Sequence, residues 1–394
     1  MSSPAKKEST SPAPAEEKKP ETKPAEEEKG ETKAASPPPA ASSPVASPAE
    51  ASSSAPAAES GAQGGILPGQ HWTQQPIPTN DADSSYDTDV ASSTNSLTSS
   101  ILAYRTIHGR TYHSDRTPAE YWCPNDEKQT ECMDIIHHFL TLTLDGKLYE
   151  APLEPDKMQK VLDVGTGTGI WAIDFADAHP NVQVIGTDIS PIQPGWVPPN
   201  VFFEIEDLTQ AWTFAANSFD FVHMRYLFGS VEDWTRLFRE AYRVLKPGGW
   251  IESFEPDAEI FAEDGTIKEG SPLDQWGKVF LQGGRKFGRT FYPVTDNVQR
   301  PAIEAAGFTN IVQKDYKIPL TAWPADKKLA EIGSYAHLSL EQDAEGLILY
   351  TFQHLMDWSI TEVHAYIAHL RNQMRDRSVH PLVRLRLVYA QKPY

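Results

Sequence analysis

Large apolar side chains are unevenly spread along the 394 residues. Residues 1 to about 85 hold almost none, while beyond Ser96 they recur with helix and strand periods. The tract from Ser36, SPPPAASSPVASPAEASSSAPAAES, has no period and is cut by prolines. Such a segment cannot bury enough apolar surface to offset the entropy of ordering it. Residues 1–95 are therefore predicted to be disordered and 96–394 to fold, with residues 1–69 dispensable for folding.

SLTSSILAYRTIHGRTYH reads as a short helix ending near Gly109. A longer amphipathic helix follows, capped by Asn125 or Asp126, with Met133, Ile136, His137 and Leu140 near one face. His137 and His138 are adjacent, cannot share a face as metal ligands would, and read as packing residues. From Lys160 strands and helices alternate: KVLDVG, then IWAIDFADAHP; VQVIGTD; VFFEIEDL; SFDFVHMRY; a helix WTRLFREAYRVLKPGG closed by glycine; and WIESFEPD. That order implies right-handed βαβ units and a parallel sheet. FTNIVQKDYKIPL and VRLRLVYAQKP fit the sheet edge. Helical patterns between them suggest an inserted cap on the substrate side. The predicted architecture is α/β: a Rossmann-like, mostly parallel sheet with an antiparallel edge strand, core 155–318 and 381–394, helical cap 319–380.

The formal net charge is −19. An acidic surface repels phosphate backbones, which argues against direct nucleic-acid binding and permits a basic protein partner. Cys123 and Cys132 are too few for a disulfide framework, and their spacing fits no common zinc motif, so reduced thiols and no metal are expected. The start lacks the apolar stretch of a secretory signal, and no run approaches the ~20 apolar residues of a membrane span. A soluble protein of nucleus or cytoplasm, not secreted and not membrane-bound, is expected.

The strongest chemical signal is VLDVGTGTG, from Val161 to Gly169. A strand ends, a glycine loop follows and a helix begins, so a ligand meets bare backbone and free N–H groups. Gly165, Gly167 and Gly169 do not keep the dinucleotide spacing G-x-G-x-x-G. Asp163, two residues before the loop, would meet a pyrophosphate badly and suits a ligand with ammonium and sulfonium charges, which excludes a nicotinamide oxidoreductase. Asp188, closing the second strand, is placed to accept from both ribose hydroxyls. Asp207, after the third strand, is placed to accept from an adenine amino group, with Ile189 and Leu208 on the purine. Thr166 and Thr168 complete the loop. The cofactor so described is S-adenosylmethionine.

The chain resembles the class I S-adenosylmethionine methyltransferases through this loop. More narrowly, residues from about 95 onward resemble the fungal LaeA-like (TAM-domain) methyltransferases. Five runs carry that likeness: RTYH from Arg110, VLDVGTGTGIWAID from Val161, DISPIQP from Asp188, WVPPNV from Trp196 and KPGGW from Lys246. The resemblance implies methyl transfer to a small-molecule or protein acceptor, a link to fungal secondary metabolism and, as an alternative, a nuclear regulator working through velvet-family partners, the fold serving mainly for binding. With the Gly-Arg turn beside it, the resemblance also makes Tyr112 a lid over the cofactor.

Methyl transfer from a sulfonium needs alignment and exclusion of water more than it needs a nucleophile or metal. His223 and Glu255 are the candidate bases, Glu255 better placed than Glu252. A buried packing role for His223 is equally open. Arg225 is a candidate for orienting cofactor or substrate, and Tyr226 for lining the pocket. Tyr335 and His337 face either substrate or helix neighbours. The run Ser253-Phe254-Glu255-Pro256 lacks the Asn-Pro-Pro-Tyr pattern of amino-methylating enzymes. The cap aromatics Trp323, Tyr335, Tyr350, Phe352 and Trp358 suit an apolar small molecule or a core.

Overall fold

The computed structural model describes residues 65–76, 103–114 and 121–394. Most of the Pro/Ala/Ser/Glu tract, and the start of order expected at Ser96, lie outside them. The first element is α1 (Gly69–Thr73). The strands β1 (Arg105–Ile107) and β2 (Arg110–Tyr112) then pair antiparallel. This hairpin replaces the short helix expected there. His108 and Gly109 have φ of 48° and 81°, the two left-handed residues of a primed two-residue turn, and a helix cannot pass through both. The helix α2 (Glu127–Thr143) is capped by Asp126, whose side chain accepts from the Gln129 amide.

The alternating elements come next: β3 (Lys160–Val164), α3 (Ile170–Ala178), β4 (Gln183–Asp188), β5 (Val201–Ile205), β6 (Phe219–Arg225), α4 (Trp234–Val244) and β7 (Leu245–Phe261). The helix predicted to close at Gly248-Gly249 stops at Val244, and Lys246 to Gly249 already belong to β7. Pro247 has no N–H to continue a helix, and Gly248 sits at φ 81°. Then follow α5 (Pro272–Phe287), α6 (Gln299–Ala306), β8 (Thr309–Pro319), α7 (Lys327–Tyr350), α8 (Ile360–Arg375) and β9 (Leu382–Gln391).

Seven strands form one sheet in the order β5-β4-β3-β6-β7-β9-β8. The first five run parallel, and β9 lies antiparallel between β7 and the edge strand β8. The chain leaves β3 for β4 on one side and later returns to β6 on the other. Such a switch point opens a crevice at the carboxyl ends of the strands. One apolar cluster joins α4 and α6 to one sheet face; another, built around Trp171, Phe175 and Phe221, covers the opposite face.

The third cluster is the cap. Besides α7 and α8 it contains α5, which the expected cap boundaries leave out; Trp276, Val279 and Phe280 of α5 are buried in it. Residues 65–76 also belong to the folded body. Trp72 is 1% exposed, with its ring edge-on to Tyr366 of α8 at 5.2 Å, and the Leu67 amide donates to Gln275 Oε1 at 2.6 Å. The expected boundary at residue 95 is corrected accordingly, and so is the dispensability of residues 66–69.

Candidate functional site

The turn after β3 is built for close approach. Gly165, Gly167 and Gly169 all have positive φ, at 68°, 58° and 80°, a region costly for side chains bearing a Cβ. A Cβ on Gly165 would lie 2.5 Å from Leu227 Cδ2, and one on Gly169 2.3 Å from the Phe203 ring. The Thr166 amide donates to Thr187 O at 2.9 Å and the Gly169 amide to Thr166 O at 2.9 Å. The Gln193 amide nitrogen clamps the loop from outside, donating to Gly167 O and Ser190 O at 2.7 and 3.0 Å. The Asn200 side chain likewise stitches the carbonyls of Ala176, His179 and Val182. The runs DISPIQP and WVPPNV are thus loop-bracing segments.

Three carboxylates surround the loop. Asp163 is buried, with Oδ2 accepting from Thr166 Oγ1 at 2.6 Å and Oδ1 bonded to His223 Nδ1 at 2.7 Å. Asp188, half-buried at the crevice, accepts from the amides of Gly167 (2.8 Å) and Ser190 (3.0 Å). Its surroundings push its carboxyl up to about 6, desolvation outweighing those bonds. Asp207 Oδ1 accepts from the Thr209 amide and hydroxyl at 2.8 and 2.7 Å, while Oδ2 is buried with no partner. Asn125 Oδ1 and Gln129 Oε1 are also buried, unpartnered acceptors on the cavity wall. Buried polar atoms are seldom left unpaired, so these oxygens mark where donors of a ligand belong. Neither α2-side carboxamide was expected from the sequence; Asn125, Gln129 and Met133 recur every fourth residue, which was the available signal.

Arg225 lines the same cavity. Its Nη2 donates to His137 Nδ1 at 2.7 Å, and His137 Nε2 meets Asp174 Oδ2 at 2.9 Å. An arginine can only donate, so Nε2 carries the His137 proton. Burial, and next the Arg225 charge, lower the His137 pKa to about 4 and keep the ring neutral. Thr168 Oγ1 donates to Asp134 Oδ1 at 2.7 Å, a second tie between the loop and α2. His137 is structural, as expected, and its structural task is to aim Arg225.

Asp163, Gly165, Thr166, Gly167, Thr168, Asp188, Ile189, Asp207, Leu208, Arg225 and Tyr226 all line the cavity. Gly169, the cap of α3, is not among the lining residues, and four more predicted residues lie elsewhere. His223 is buried behind Asp163 and stacks on Trp171 at 3.7 Å with planes 3° apart; it shares a sheet face with Arg225 but lies one pleat deeper, below the crevice. Glu255 is fully buried, its Oε2 accepting from the amides of Leu227 (2.8 Å) and Phe228 (3.0 Å), and burial holds its carboxyl well above the usual carboxylate range. It fixes the turn at Tyr226, whose φ is 56°, and so seats Leu227 against Gly165. Glu252 accepts from the amides of Glu150 and Ala151, both at 2.8 Å. Tyr112 is 0% exposed on β2, beside Tyr350, and lines no part of the cavity, unlike the segment Tyr121–Asn125, which does line it. In the cap, Tyr335 meets His138 edge-on at 4.3 Å.

The cavity, about 240 Å³, continues from the glycine loop into the cap, where Trp122, Phe228, Trp276, Phe280, Leu340 and Leu347 form its walls. A buried ion cluster holds that roof. Arg110 bonds Asp126 at 2.6 and 2.8 Å and Asp343 at 2.8 and 2.6 Å. Asp343 stands where α7 kinks, at φ −144° and ψ 50°. The arginine therefore joins the hairpin, the start of α2 and the middle of α7. Among the described residues no cluster of three or more metal-ligating side chains occurs, and no helix is long and apolar enough to cross a membrane. Cys123 and Cys132 are free and buried.

A parallel sheet with one reversed strand, a glycine turn after its central strand and acidic acceptors at the next two strand ends define a Rossmann-like methyltransferase. Residues 126–312 match the family described as methyltransferase domain. The methyltransferase pytC of Aspergillus terreus is 37% identical over 311 residues, 79% of this chain and 94% of pytC. The secondary metabolism regulator LAE1 of Cochliobolus heterostrophus is 34% identical over 292 residues, 73% of this chain and 94% of LAE1. The regulator laeA of Aspergillus fumigatus is 32% identical over 291 residues, covering 73% and 76%. The chain belongs to the LaeA-like methyltransferase family.

Proposed function

We propose that this protein binds S-adenosylmethionine at the carboxyl ends of β3, β4 and β5 and methylates an acceptor held under the cap. The observation that carries the reading is the single cavity in which the glycine turn, the unpartnered Asp207 Oδ2 and the apolar roof meet. Asp188 would hold the ribose diol and Asp207 Oδ2 the adenine amino group, with Ile189 and Leu208 against the purine. Arg225 would take the carboxylate of the methionine half. Asn125 Oδ1, just before α2, and Gln129 Oε1 on α2 would supply further acceptors. When bound, the cofactor supplies a methyl group on a sulfonium whose leaving group is a neutral thioether. The chain's part is to align the partners, keep water out under α7, and present Asp163 and Asp188 to positive charge. Calorimetry with S-adenosylhomocysteine tests this, with micromolar affinity expected, about −8 kcal/mol; heat with NAD and none with S-adenosylhomocysteine would sink it.

A second reading is nuclear control of secondary metabolism through velvet-type protein partners; the names of LAE1 and laeA, secondary metabolism regulators, support its regulatory part. A stable complex with a velvet protein, unchanged by Asp207→Asn, would support binding as the main task of the fold.

A further inference from the structure

Building on the methyltransferase reading, we infer that the acceptor is an uncharged, largely apolar small molecule, not a peptide side chain. The cavity beyond the glycine loop is walled by Trp122 and Phe228 on one side, Trp276 and Phe280 of α5 on another, and Leu340 and Leu347 of α7 above. Trp122 meets Phe228 edge-on at 5.4 Å and Phe280 at 5.7 Å. Its indole N–H is already taken, donating to Phe228 O at 3.3 Å. Ring edges arranged this way receive the face of a planar apolar guest.

Charged guests find one carboxylate there, and it is already engaged. Asp257, the carboxylate of this half of the cavity, accepts from the amides of Val294 and Thr295 and from Thr295 Oγ1. A lysine ammonium entering the roof would be desolvated beside a carboxylate whose oxygens are already held by Val294 and Thr295, and a peptide backbone would bring N–H and C=O groups that the apolar walls cannot pair. Each such buried, unpaired group costs roughly 1–3 kcal/mol. The six ring and leucine side chains of the walls carry no base. Burial holds Tyr121 and Cys123 well above their ordinary pKa values, and so neutral. The acceptor therefore carries its own nucleophilic lone pair to the methyl group, and any proton it sheds leaves with solvent after transfer.

The probe is 2-naphthol, neutral, planar and two rings wide, titrated into the full chain saturated with S-adenosylhomocysteine and followed by quenching of tryptophan fluorescence. Ala336 is buried on α7 and lines the roof, and Leu340 and Leu347 are half-buried there. Ala336→Trp should weaken naphthol at least tenfold. Leu347→Trp, at a half-buried position that tolerates bulk, should do the same if Ala336→Trp fails to fold. S-adenosylhomocysteine affinity, measured separately by calorimetry, should stay within about twofold. Equal naphthol binding by wild type and a folded filled variant overturns the inference. So does a basic, histone-tail-like peptide that binds the cofactor-loaded protein and is displaced by the same substitutions. Failure of wild type to bind S-adenosylhomocysteine overturns the underlying methyltransferase reading instead, and is seen in its own titration.

Discussion

Around the glycine loop the cavity wall is backbone and carboxylate: three left-handed glycines, the Asp188 and Asp207 side chains, and the orphan oxygens of Asn125 and Gln129. Beyond Phe228 it is ring edges and methyl groups, roofed by a kinked helix that one arginine holds in place. The first region draws many of its contacts from neighbours in sequence. Thr166 and Asp163, or Asp188 and Ser190, are three or two residues apart. The second depends on partners such as Arg110 and Asp343, which are 233 residues apart. A locally built wall is stiff and specific for polar groups. A roof closed by one distant clasp has its stability concentrated in few contacts.

The sharpest break of that contrast is Arg110→Ala. It leaves Asp343 buried with only the Gly346 amide at 2.9 Å and Lys128 Nζ at 3.9 Å, and should cost about 3 kcal/mol of unfolding free energy, read from denaturant curves. An effect under about 1 kcal/mol would mean that the kink of α7 is held by packing alone. Trp72→Ala tests the same side from outside. Losing a buried indole costs about 3 kcal/mol here, the low end for such a change, because α1 can detach from α8. A variant lacking residues 1–76 should melt lower for the same reason, whereas loss of residues 1–60 should not register.

On the polar side the effects are smaller and fall on binding. Asp188→Ala should weaken S-adenosylhomocysteine by ~2–3 kcal/mol, about 30- to 150-fold. It should also lower stability by roughly 1 kcal/mol, because the Gly167 and Ser190 amides lose their acceptor. Asp207→Asn keeps an acceptor at Oδ1 for Thr209 and turns the orphan oxygen into a donor. Affinity should fall about tenfold, ~1.4 kcal/mol, with the melting temperature unchanged; equal affinity would remove Asp207 from the adenine contact. The mildest test is pH. With the Asp188 carboxyl near 6, a diol that donates to the carboxylate loses its acceptor on acidification, and affinity should drop about tenfold between pH 7 and pH 5. The same shift acts oppositely on folding. Its stabilising contribution is fully present below the unfolded pKa and is lost as pH rises through about 6. A flat binding profile would show that Asp188 does not meet the cofactor.

The unequal legibility of the two regions follows the same division. Gly165 to Gly169, Asp163, Asp188 and Asp207 could be found because a strand, a turn and a helix start lie within a dozen residues and each imposes its own residue type. The mostly parallel sheet followed from the βαβ alternation, whereas its strand order came only with the structure. The hairpin was misread because ILAYRTI suits helix and strand alike; the pair His108-Gly109, both left-handed, was the overlooked signal. His223 and Glu255 sat near the right strand ends, but His223 lies one pleat below the crevice, held by Asp163 and Trp171, and the amides of Leu227 and Phe228 draw Glu255 away from it. The α5 helix, the Arg110 clasp and the Trp72 anchor had no local signature. Each acquires its role only from contacts made across the fold, although a lone tryptophan within GILPGQHW was a hint that this stretch packs somewhere.

The reversed strand has a consequence for how the chain comes off the ribosome. β9 hydrogen-bonds to both β7 and β8, yet it is translated about 120 residues after β7 ends. At roughly 5–20 residues per second, the nascent chain spends about 6–24 s with the inner edge of β7 unpaired, although the glycine turn and its carboxylates have long since been made. An unpaired strand edge is a template for other strands. Yield in a heterologous host should therefore depend on chaperone supply during that interval more than on the final stability of the folded protein.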